Sequence, residues 1–427
     1  MTSILFASLG SVVAACGAPE DARVTIRFWG MGREGEVVAE LVKGFERENP
    51  GIRVRVQQIP WSAAHEKLLT AYVGEVTPDV AQLGNTWVPE FSALGALAPL
   101  DSLVGRSTTI DPADFFEGIW KTNLVGDTLF GIPWYVDTRL IFFRTDILSR
   151  AGYETPPSSW AEWRTAMERI RAEAAPGQYP LFLPTNEWPQ PVILALQAGS
   201  RLLSDGGRYG AFSEPEFRRA FEFYTGLFED SLAPPVSSNQ IANIFQEFAA
   251  GNFAMIITGP WYIGEFRRRL PAALQDKWAT APMPGPTGAE SGVSMAGGSS
   301  LVVFRGGDHP EAAWKLVEYL SRPAQQREFW RLTGDLPARL ETWEEPALKG
   351  DPITYAFWEQ LQRVEPLPAV PEIELIVTKV FEAGERAVQG GAPVDRVLAD
   401  LDASVDRILE KRRWMLDQAA VAARMHD

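Results

Sequence analysis

The spacing of hydrophobic residues between positions 24 and 83 predicts alternating strands and helices. Residues 24–29 (VTIRFW) are β-branched and aromatic, and residues 52–59 (IRVRVQQI) alternate as a half-buried strand does. Between them the apolar residues of 36–45 recur at helical spacing and form one stripe. A second helical run at 62–73 and a short strand at 78–83 follow. This βαβαβ order predicts a parallel sheet with binding chemistry at the carboxyl ends of its strands.

The rest of the chain carries further strand-like runs and helix-start signals. Four apolar runs predict strands: 131–135, 140–144, 253–258 and 299–304. Three capping pairs predict helix starts: Ser159 with Glu162, Ser213 with Glu216, and Asp308 with Glu311. Proline and glycine concentrate at 281–292 and 344–352, which we interpret as linkers. The charged amphipathic run from about 393 to 425 predicts a helix that caps a lobe.

Three glycines in the first turn, Gly30, Gly32 and Gly35, have the G-x-G-x-x-G spacing of a dinucleotide-binding loop. Such a site also needs an acidic residue at the end of the second strand, where this chain has two glutamines. We therefore predict that no nucleotide binds here. The glycines instead are expected to bring helix N–H groups close to a ligand, with Glu34 accepting a hydrogen bond from a ligand hydroxyl.

Composition narrows the choice of partners. The 427 residues carry a net charge of −15, which disfavours nucleic acid and anionic lipid surfaces. One cysteine excludes an intrachain disulfide, and three scattered histidines give no local metal-binding pattern, so we expect no metal and no cofactor. The 15 tryptophans favour a ligand that stacks on aromatic rings.

The amino-terminal segment predicts export. Residues 4–16 (ILFASLGSVVAAC) are uncharged, too short to span a membrane as a helix, and typical of the apolar part of a signal peptide. The small residues before Cys16 resemble a bacterial lipoprotein box, which implies that Cys16 is lipidated. We expect a periplasmic or cell-envelope protein with residues 1–16 as the signal segment and membrane contact only through this anchor. A plain signal peptide, removed together with its cysteine, is the alternative.

Several longer stretches carry a resemblance to one family. These stretches lie at 45–54, 95–101, 131–148, 245–266 and 295–339. The stretch at 245–266 contains the pattern F-x-x-G-x-x-A-M…G-P-W at 248–261. Together with VTIRFWG they resemble the extracellular solute-binding proteins of bacterial ABC sugar importers, in particular the maltose/trehalose-binding group. The resemblance covers the chain from about 24 to about 420.

This resemblance implies a two-lobed α/β fold, the class II periplasmic-binding-protein type, with a hinge of two or three crossing segments. The first lobe is expected to comprise 24–134 plus about 290–340. The second lobe is expected to comprise about 139–285 plus 345–427. The Pro/Gly-rich stretches fall near the two later crossings.

The resemblance also implies a set of ligand-binding residues around a sugar. In the alternating hinge segment WYVDTR, Tyr135 and Asp137 are carried over from the family, while Arg139 is expected to pair with an acidic neighbour. Relatives have a tryptophan after the glycine turn, whereas this chain has Ser299 and a second serine, which removes one stacking wall. The full predicted set is Glu34, Asn85, Tyr135, Asp137, Trp188, Trp261, Gly297, Gly298, Ser299 and Arg339.

The resulting hypothesis is a monomeric, non-catalytic receptor. It captures an α-linked disaccharide or short oligosaccharide such as maltose or trehalose, and it delivers the sugar to the permease subunits of an ABC transporter. The alternative is an exported glycoside hydrolase with Glu34 and Asp137 as paired carboxylates, because a sugar cleft needs carboxylates in either case. A binder of iron or of polyamines is a third, less favoured alternative.

Overall fold

The computed structural model describes residues 23–424, and the predicted signal segment with Cys16 lies outside them. The strands in chain order are β1 (Val24–Met31), β2 (Ile52–Ile59), β3 (Val80–Gly84), β4 (Leu124–Val125), β5 (Thr128–Leu129), β6 (Ile132–Asp137), β7 (Leu140–Arg144), β8 (Tyr179–Phe182), β9 (Leu203–Ser204), β10 (Tyr209–Gly210), β11 (Phe253–Thr258), β12 (Trp278–Ala281), β13 (Ser294–Met295), β14 (Gly297–Val303), β15 (Leu336–Pro337) and β16 (Val364–Glu365).

The α-helices are more numerous in the second half of the chain. In order they are α1 (Gly32–Glu48), α2 (Trp61–Val73), α3 (Val88–Ala93), α4 (Asp101–Val104), α5 (Glu117–Lys121), α6 (Thr145–Arg150), α7 (Trp160–Glu173), α8 (Pro189–Gln197), α9 (Pro215–Glu229), α10 (Ile244–Ala250), α11 (Trp261–Arg269), α12 (Pro310–Leu320), α13 (Pro323–Thr333), α14 (Pro346–Lys349), α15 (Pro352–Leu361), α16 (Ile373–Val388), α17 (Val394–Ile408) and α18 (Glu410–Arg424). Within 23–424 no helix combines the length and apolar character needed to cross a membrane.

Two separate sheets organise these elements into two lobes. The larger sheet has the strand order β15-β6-β14-β3-β1-β2, and the smaller has the order β12-β7-β11-β8. In the larger sheet β1 pairs in parallel with both β2 and β3, which confirms the predicted parallel βαβαβ unit. Strand β14 arrives from far along the chain and pairs antiparallel with β3 on one side and with β6 on the other.

The chain changes sheets through short segments that lie side by side. It leaves β6 at Asp137 and enters β7 at Leu140, and it returns through β13 into β14. The Thr138 hydroxyl donates to the carbonyl of Met295 at 2.9 Å, and the Ser294 hydroxyl donates to the carbonyl of Arg139 at 2.7 Å. These two hydrogen bonds join the outgoing and returning strands at the base of the two lobes.

An aromatic cluster adds an apolar contact near the same base. Phe116 lies just before α5 beside the larger sheet, and its ring packs edge-on against Trp343 and Trp358, with centroids 6.1 and 5.3 Å away. Trp358 belongs to α15, which packs on β12 of the smaller sheet. Side chains of both sheets therefore share one continuous buried cluster, and the lobes are joined by packing as well as by the backbone.

The predicted helix starts are confirmed in one case and wrong in two. Ser159 caps α7 by accepting a hydrogen bond from the N–H of Glu162. Helix α9 instead begins at Pro215 after Glu214, and α12 begins at Pro310, in both cases without a side-chain cap. Proline at the first helical position fixes φ and lacks an N–H that would otherwise need a partner, so it starts the helix in place of the predicted cap. The predicted C-terminal helical run is divided into α17 and α18.

The first-turn glycines have a packing role that the sequence did not indicate. A Cβ at Gly30 would lie 2.7 Å from the Cα of Gly35, and a Cβ at Gly35 would lie 2.5 Å from the carbonyl oxygen of Gly30. The two glycines therefore let α1 pack directly on the end of β1. Gly32 has φ +48°, and a Cβ there would lie 2.9 Å from the ring of Trp61. The sequence predicted that these glycines allow a close approach to a ligand, whereas in the structure the atoms that approach them closely belong to the protein itself.

We predict that Gly30→Ala lowers the free energy of unfolding by about 1–3 kcal/mol, because the added methyl group overpacks the contact between β1 and α1. Urea denaturation of the variant and the wild type would measure this. Gly51→Ala is the matched control, because no atom lies within 4 Å of a Cβ at Gly51. Equal stability of Gly30→Ala and the control would show that the first turn relaxes without cost.

Candidate functional site

A cavity of about 360 Å³ lies between the two lobes and collects nearly all the predicted site residues. Nine of the ten line it: Glu34, Asn85, Tyr135, Asp137, Trp188, Trp261, Gly297, Gly298 and Ser299. A larger groove of about 670 Å³ between α16 and α17 has no aromatic lining, and charged side chains there pair with neighbours, as Lys379 does with Glu382. The cavity between the lobes is therefore the candidate site.

The larger sheet forms one wall of the cavity through the ends of three neighbouring strands. Asn85 follows β3, Tyr135 and Asp137 close β6, and Ser299 lies in β14 directly opposite Tyr135. The other wall comes from the second lobe, where Trp188 precedes α8 and Trp261 begins α11 after β11. Residues far apart in sequence meet because β3 and β6 end, and the antiparallel strand β14 begins, at the same edge of the sheet.

A hydrogen-bond network fixes the floor of the cavity. The Tyr135 hydroxyl donates to Glu34 Oε1 at 2.9 Å and accepts from the Ser299 hydroxyl at 3.0 Å. Below them the buried Gln82 amide lies 3.3 Å from the Tyr135 hydroxyl, and its oxygen accepts from the N–H of Met31. Burial and then the negative charge of Glu34 raise the pKa of Tyr135 well above its ordinary value, so its hydroxyl stays a donor.

The carboxylate of Asp137 is held by the arginine two residues on. Arg139 Nη1 donates to Asp137 Oδ1 at 2.8 Å, which confirms the predicted pairing of this arginine with an acidic neighbour. The same guanidinium lies over the ring of Trp261, 4.4 Å from its centroid. Trp261 is 46% exposed in spite of its size, so this wall of the cavity presents an accessible aromatic ring beside an ion pair.

The glycine turn of β14 allows that strand to lie against β6. A Cβ at Gly297 would lie 2.3 Å from Asp137 Oδ1, and Gly298 has φ +121°. Only glycine adopts that backbone conformation without strain, so the turn exposes its backbone to the cavity. Nearby, Asn85 accepts from the Ser300 hydroxyl, but its buried Nδ2 has no partner within residues 23–424. Buried donors are rarely left unsatisfied, so this amide is a candidate for binding a water molecule or a ligand.

Several residues outside the predicted set line the cavity. Trp61 and Trp87 stand edge-to-face with centroids 5.7 Å apart on the first-lobe side, where they supply aromatic surface. The sequence pattern GNTW at 84–87 left open whether Trp87 faces the cavity or packs in the lobe, whereas nothing in the pattern around Trp61 pointed to the cavity. Asp335 also lines it, and no sequence motif indicated this residue.

Arg339 is the one member of the predicted set that does not line the cavity, and the sequence had left open whether it reaches the ligand or braces the hinge. Its side chain is 4% exposed and lies outside the cavity, where it donates to the carbonyl of Thr109 at 2.7 Å and to Asp114 at 2.8 Å. The guanidinium also covers the ring of Phe115. The backbone of Arg339 leads away from β15 and turns the side chain towards the 109–115 segment, so the arginine braces the first lobe.

Comparison with known proteins places the chain in a family. The family of bacterial extracellular solute-binding proteins matches residues 31–327, which is more than half of the chain. The chain belongs to the bacterial extracellular solute-binding protein family. The predicted two-lobed fold and the resemblance stated from sequence are confirmed.

Individual relatives cover almost the whole chain. The sugar-binding protein MalE of Xanthomonas citri has a solved structure that is 49% identical, with a TM-score of 0.90 over 92% of this chain and 100% of that one. A putative binding protein of Brucella abortus is 26% identical over 95% of this chain and 98% of its own. An uncharacterized lipoprotein of Streptomyces antibioticus is 28% identical over 86% of this chain and 83% of its own.

We predict that Arg339→Met lowers the free energy of unfolding by about 2 kcal/mol, because it removes charge-assisted hydrogen bonds to Thr109 and Asp114 while keeping most of the side-chain volume. Urea denaturation measures the change, and Arg106→Met at an exposed position is the matched control. Ligand affinity is expected to stay at the wild-type value. A marked loss of ligand affinity without a loss of stability would show that Arg339 belongs to the binding site.

Proposed function

We propose that this solute-binding protein is the sugar receptor of an ABC importer and that the cavity between its lobes binds an α-linked disaccharide or short oligosaccharide. The observation that carries the proposal is the composition of the cavity walls. Carboxylates, an unsatisfied amide and a glycine turn face several tryptophans across one space, and each lobe supplies part of the set. Sugars present many hydroxyls and flat apolar ring faces, which these groups complement.

The charges of the cavity favour a neutral sugar over an anionic one. Its charged lining residues are Glu34, Asp137, Asp335 and Arg139, and the arginine is already bonded to Asp137. A carboxylate or phosphate on the ligand would meet net negative charge without a free cation to pair with. The similar MalE of Xanthomonas citri is a sugar-binding protein, which agrees with this choice.

We propose hinge closure as the mechanism of capture. Ligand that touches Tyr135 in one lobe and Trp261 in the other makes its full set of contacts only when the lobes are together, so it stabilises the closed state. The short crossing segments at Thr138 and Met295 supply the flexing points. Sheet membership supports the lobe boundaries expected from sequence, 24–134 plus about 290–340 and about 139–285 plus 345–427.

We infer the cellular location of the protein from its family and from its amino-terminal segment. Members of this family are extracellular, and we propose a periplasmic or envelope-attached monomer anchored through lipidated Cys16. The similar Streptomyces antibioticus lipoprotein supports an anchor of this kind. The bound sugar would then be transferred to the permease subunits of the transporter without chemical change.

Glycoside hydrolysis with Glu34 and Asp137 as paired carboxylates is the alternative function. Burial and the negative charge of Glu34 raise the pKa of Asp335 to about 7, and a carboxyl group with a raised pKa is one requirement of such chemistry. The family consists of binding proteins, which favours capture. An assay for released reducing ends in the presence of maltotriose separates the two functions, because a receptor releases none.

A thermal-shift panel tests the proposed function. We expect maltose, trehalose or maltotriose at about 100 times its Kd to stabilise the protein by about 2.7 kcal/mol, whereas maltobionate, which carries a carboxylate, gives no shift. Sucrose and cellobiose serve as linkage controls. Unshifted melting with every neutral sugar would refute the proposal, and a shift with maltobionate would refute the charge argument alone.

We predict that Trp261→Ala weakens sugar binding about tenfold or more, because the variant loses the exposed ring on the second-lobe wall, and 1.4 kcal/mol corresponds to tenfold. Titration calorimetry measures the affinity, and melting temperature checks the fold. Trp414→Ala is the matched control, since Trp414 is 62% exposed on α18 and outside the cavity. Equal affinities for the two variants would assign Trp261 to packing.

A further inference from the structure

Asp335 lies in the cavity on a backbone that is fixed from both sides. Gly334 ends α13 in the left-handed conformation with φ +87°, and the N–H of Asp335 donates to the Thr333 hydroxyl at 3.0 Å. On the other side Leu336 pairs with Val136 as β15 joins the edge of the larger sheet next to β6. The side chain is therefore held beside the strand that supplies Tyr135 and Asp137.

The carboxyl group of Asp335 differs from the other two carboxylates of the cavity. Glu34 accepts from Tyr135, and Asp137 accepts from Arg139. Within residues 23–424 no lysine or arginine forms an ion pair with the Asp335 carboxyl, and its neighbouring hydrogen-bond donor is the Thr333 hydroxyl. A partly buried carboxylate without a cationic partner is costly to enclose, and a cleft that closes over it would make the cost larger.

Resting on the proposed sugar-binding function, we propose that Asp335 is a specificity-determining residue whose carboxylate accepts hydrogen bonds from ligand hydroxyls in the cavity. Hydroxyl donors satisfy the charged form, which offsets the cost of enclosing it. A ligand that lacks hydroxyls at this position leaves the carboxylate without these donors and binds less tightly. Because the sugar stabilises the ionised form, binding is coupled to the release of a proton.

The charges around Asp335 set the direction of the pH effect. The groups that act on it are Glu34 and Arg33 of α1, Asp137 at the end of β6 and the Thr333 hydroxyl of α13. Burial first and the Glu34 charge second raise its pKa to about 7 in the free protein. Because hydrogen bonds to the carboxylate lower the pKa in the complex, the sugar prefers the ionised form, and affinity rises as pH increases through 7.

Titration calorimetry of the full chain with the sugar that gives the largest thermal shift tests the inference. For a group of pKa about 7 that is ionised in the complex, we expect about tenfold weaker binding at pH 6 than at pH 8. At pH 7 about half a proton is released per sugar, which appears as a dependence of the binding enthalpy on the ionisation enthalpy of the buffer. These two measurements on the wild type need no variant.

Two variants test whether Asp335 is the group that causes the pH dependence and the proton release. Asp335→Asn is expected to remove both the pH dependence and the proton release, whereas Asp276→Asn, at an exposed position outside the cavity, keeps both. Sugar binding that is independent of pH, or that keeps its pH dependence in Asp335→Asn, would overturn this inference and leave the receptor function intact. Absence of sugar binding at every pH would overturn the receptor function and this inference with it.

Discussion

The whole arrangement depends on the two hydrogen bonds that join the crossing segments, from the Thr138 hydroxyl to Met295 and from the Ser294 hydroxyl to Arg139. They hold the outgoing and returning chain side by side at the base of the two lobes. Tyr135 and Asp137 precede the first crossing, and the glycine turn of β14 follows the second. The lining of the cavity is thus assembled directly beside the two crossing segments.

The two walls have different physical characters. The floor from the larger sheet is a fixed polar network, in which Gln82, Tyr135 and Ser299 satisfy one another before any ligand arrives. The second-lobe wall begins at the starts of helices, where Trp261 and Trp188 stand at the junctions between loops and helices. A polar network that is already formed can orient a ligand at low entropic cost, and the exposed ring of Trp261 offers an apolar face on the opposite wall. The two walls thus supply different kinds of contact to one space.

The first βαβαβ unit could be predicted from the sequence pattern, because α1 and α2 each bury one apolar stripe and β1 and β3 are short apolar runs that are buried in the sheet. Site residues could be predicted from the sequence where side chains alternate on a strand, as in the segment with Tyr135 and Asp137. They could not be predicted where the position of a side chain depends on long-range packing. Arg339 differs from the expectation because its backbone turns towards Asp114, and Asp335 was missed because its place in the cavity results from β15 joining the edge of a distant sheet.

The central position of β14 has a consequence for how the chain acquires its structure. Residues 24–137 contribute β1, β2, β3 and β6 of the larger sheet, but β3 and β6 do not touch each other, since β14 at 297–303 lies between them. A nascent chain that ends before residue 297 therefore has two open strand edges facing a gap. The larger sheet therefore cannot be completed until β14 has been synthesised, although β1, β2, β3 and β6 come before the whole of the smaller sheet. Fragments cut at the lobe boundary would aggregate through those edges, whereas the intact chain closes them with its own later strand.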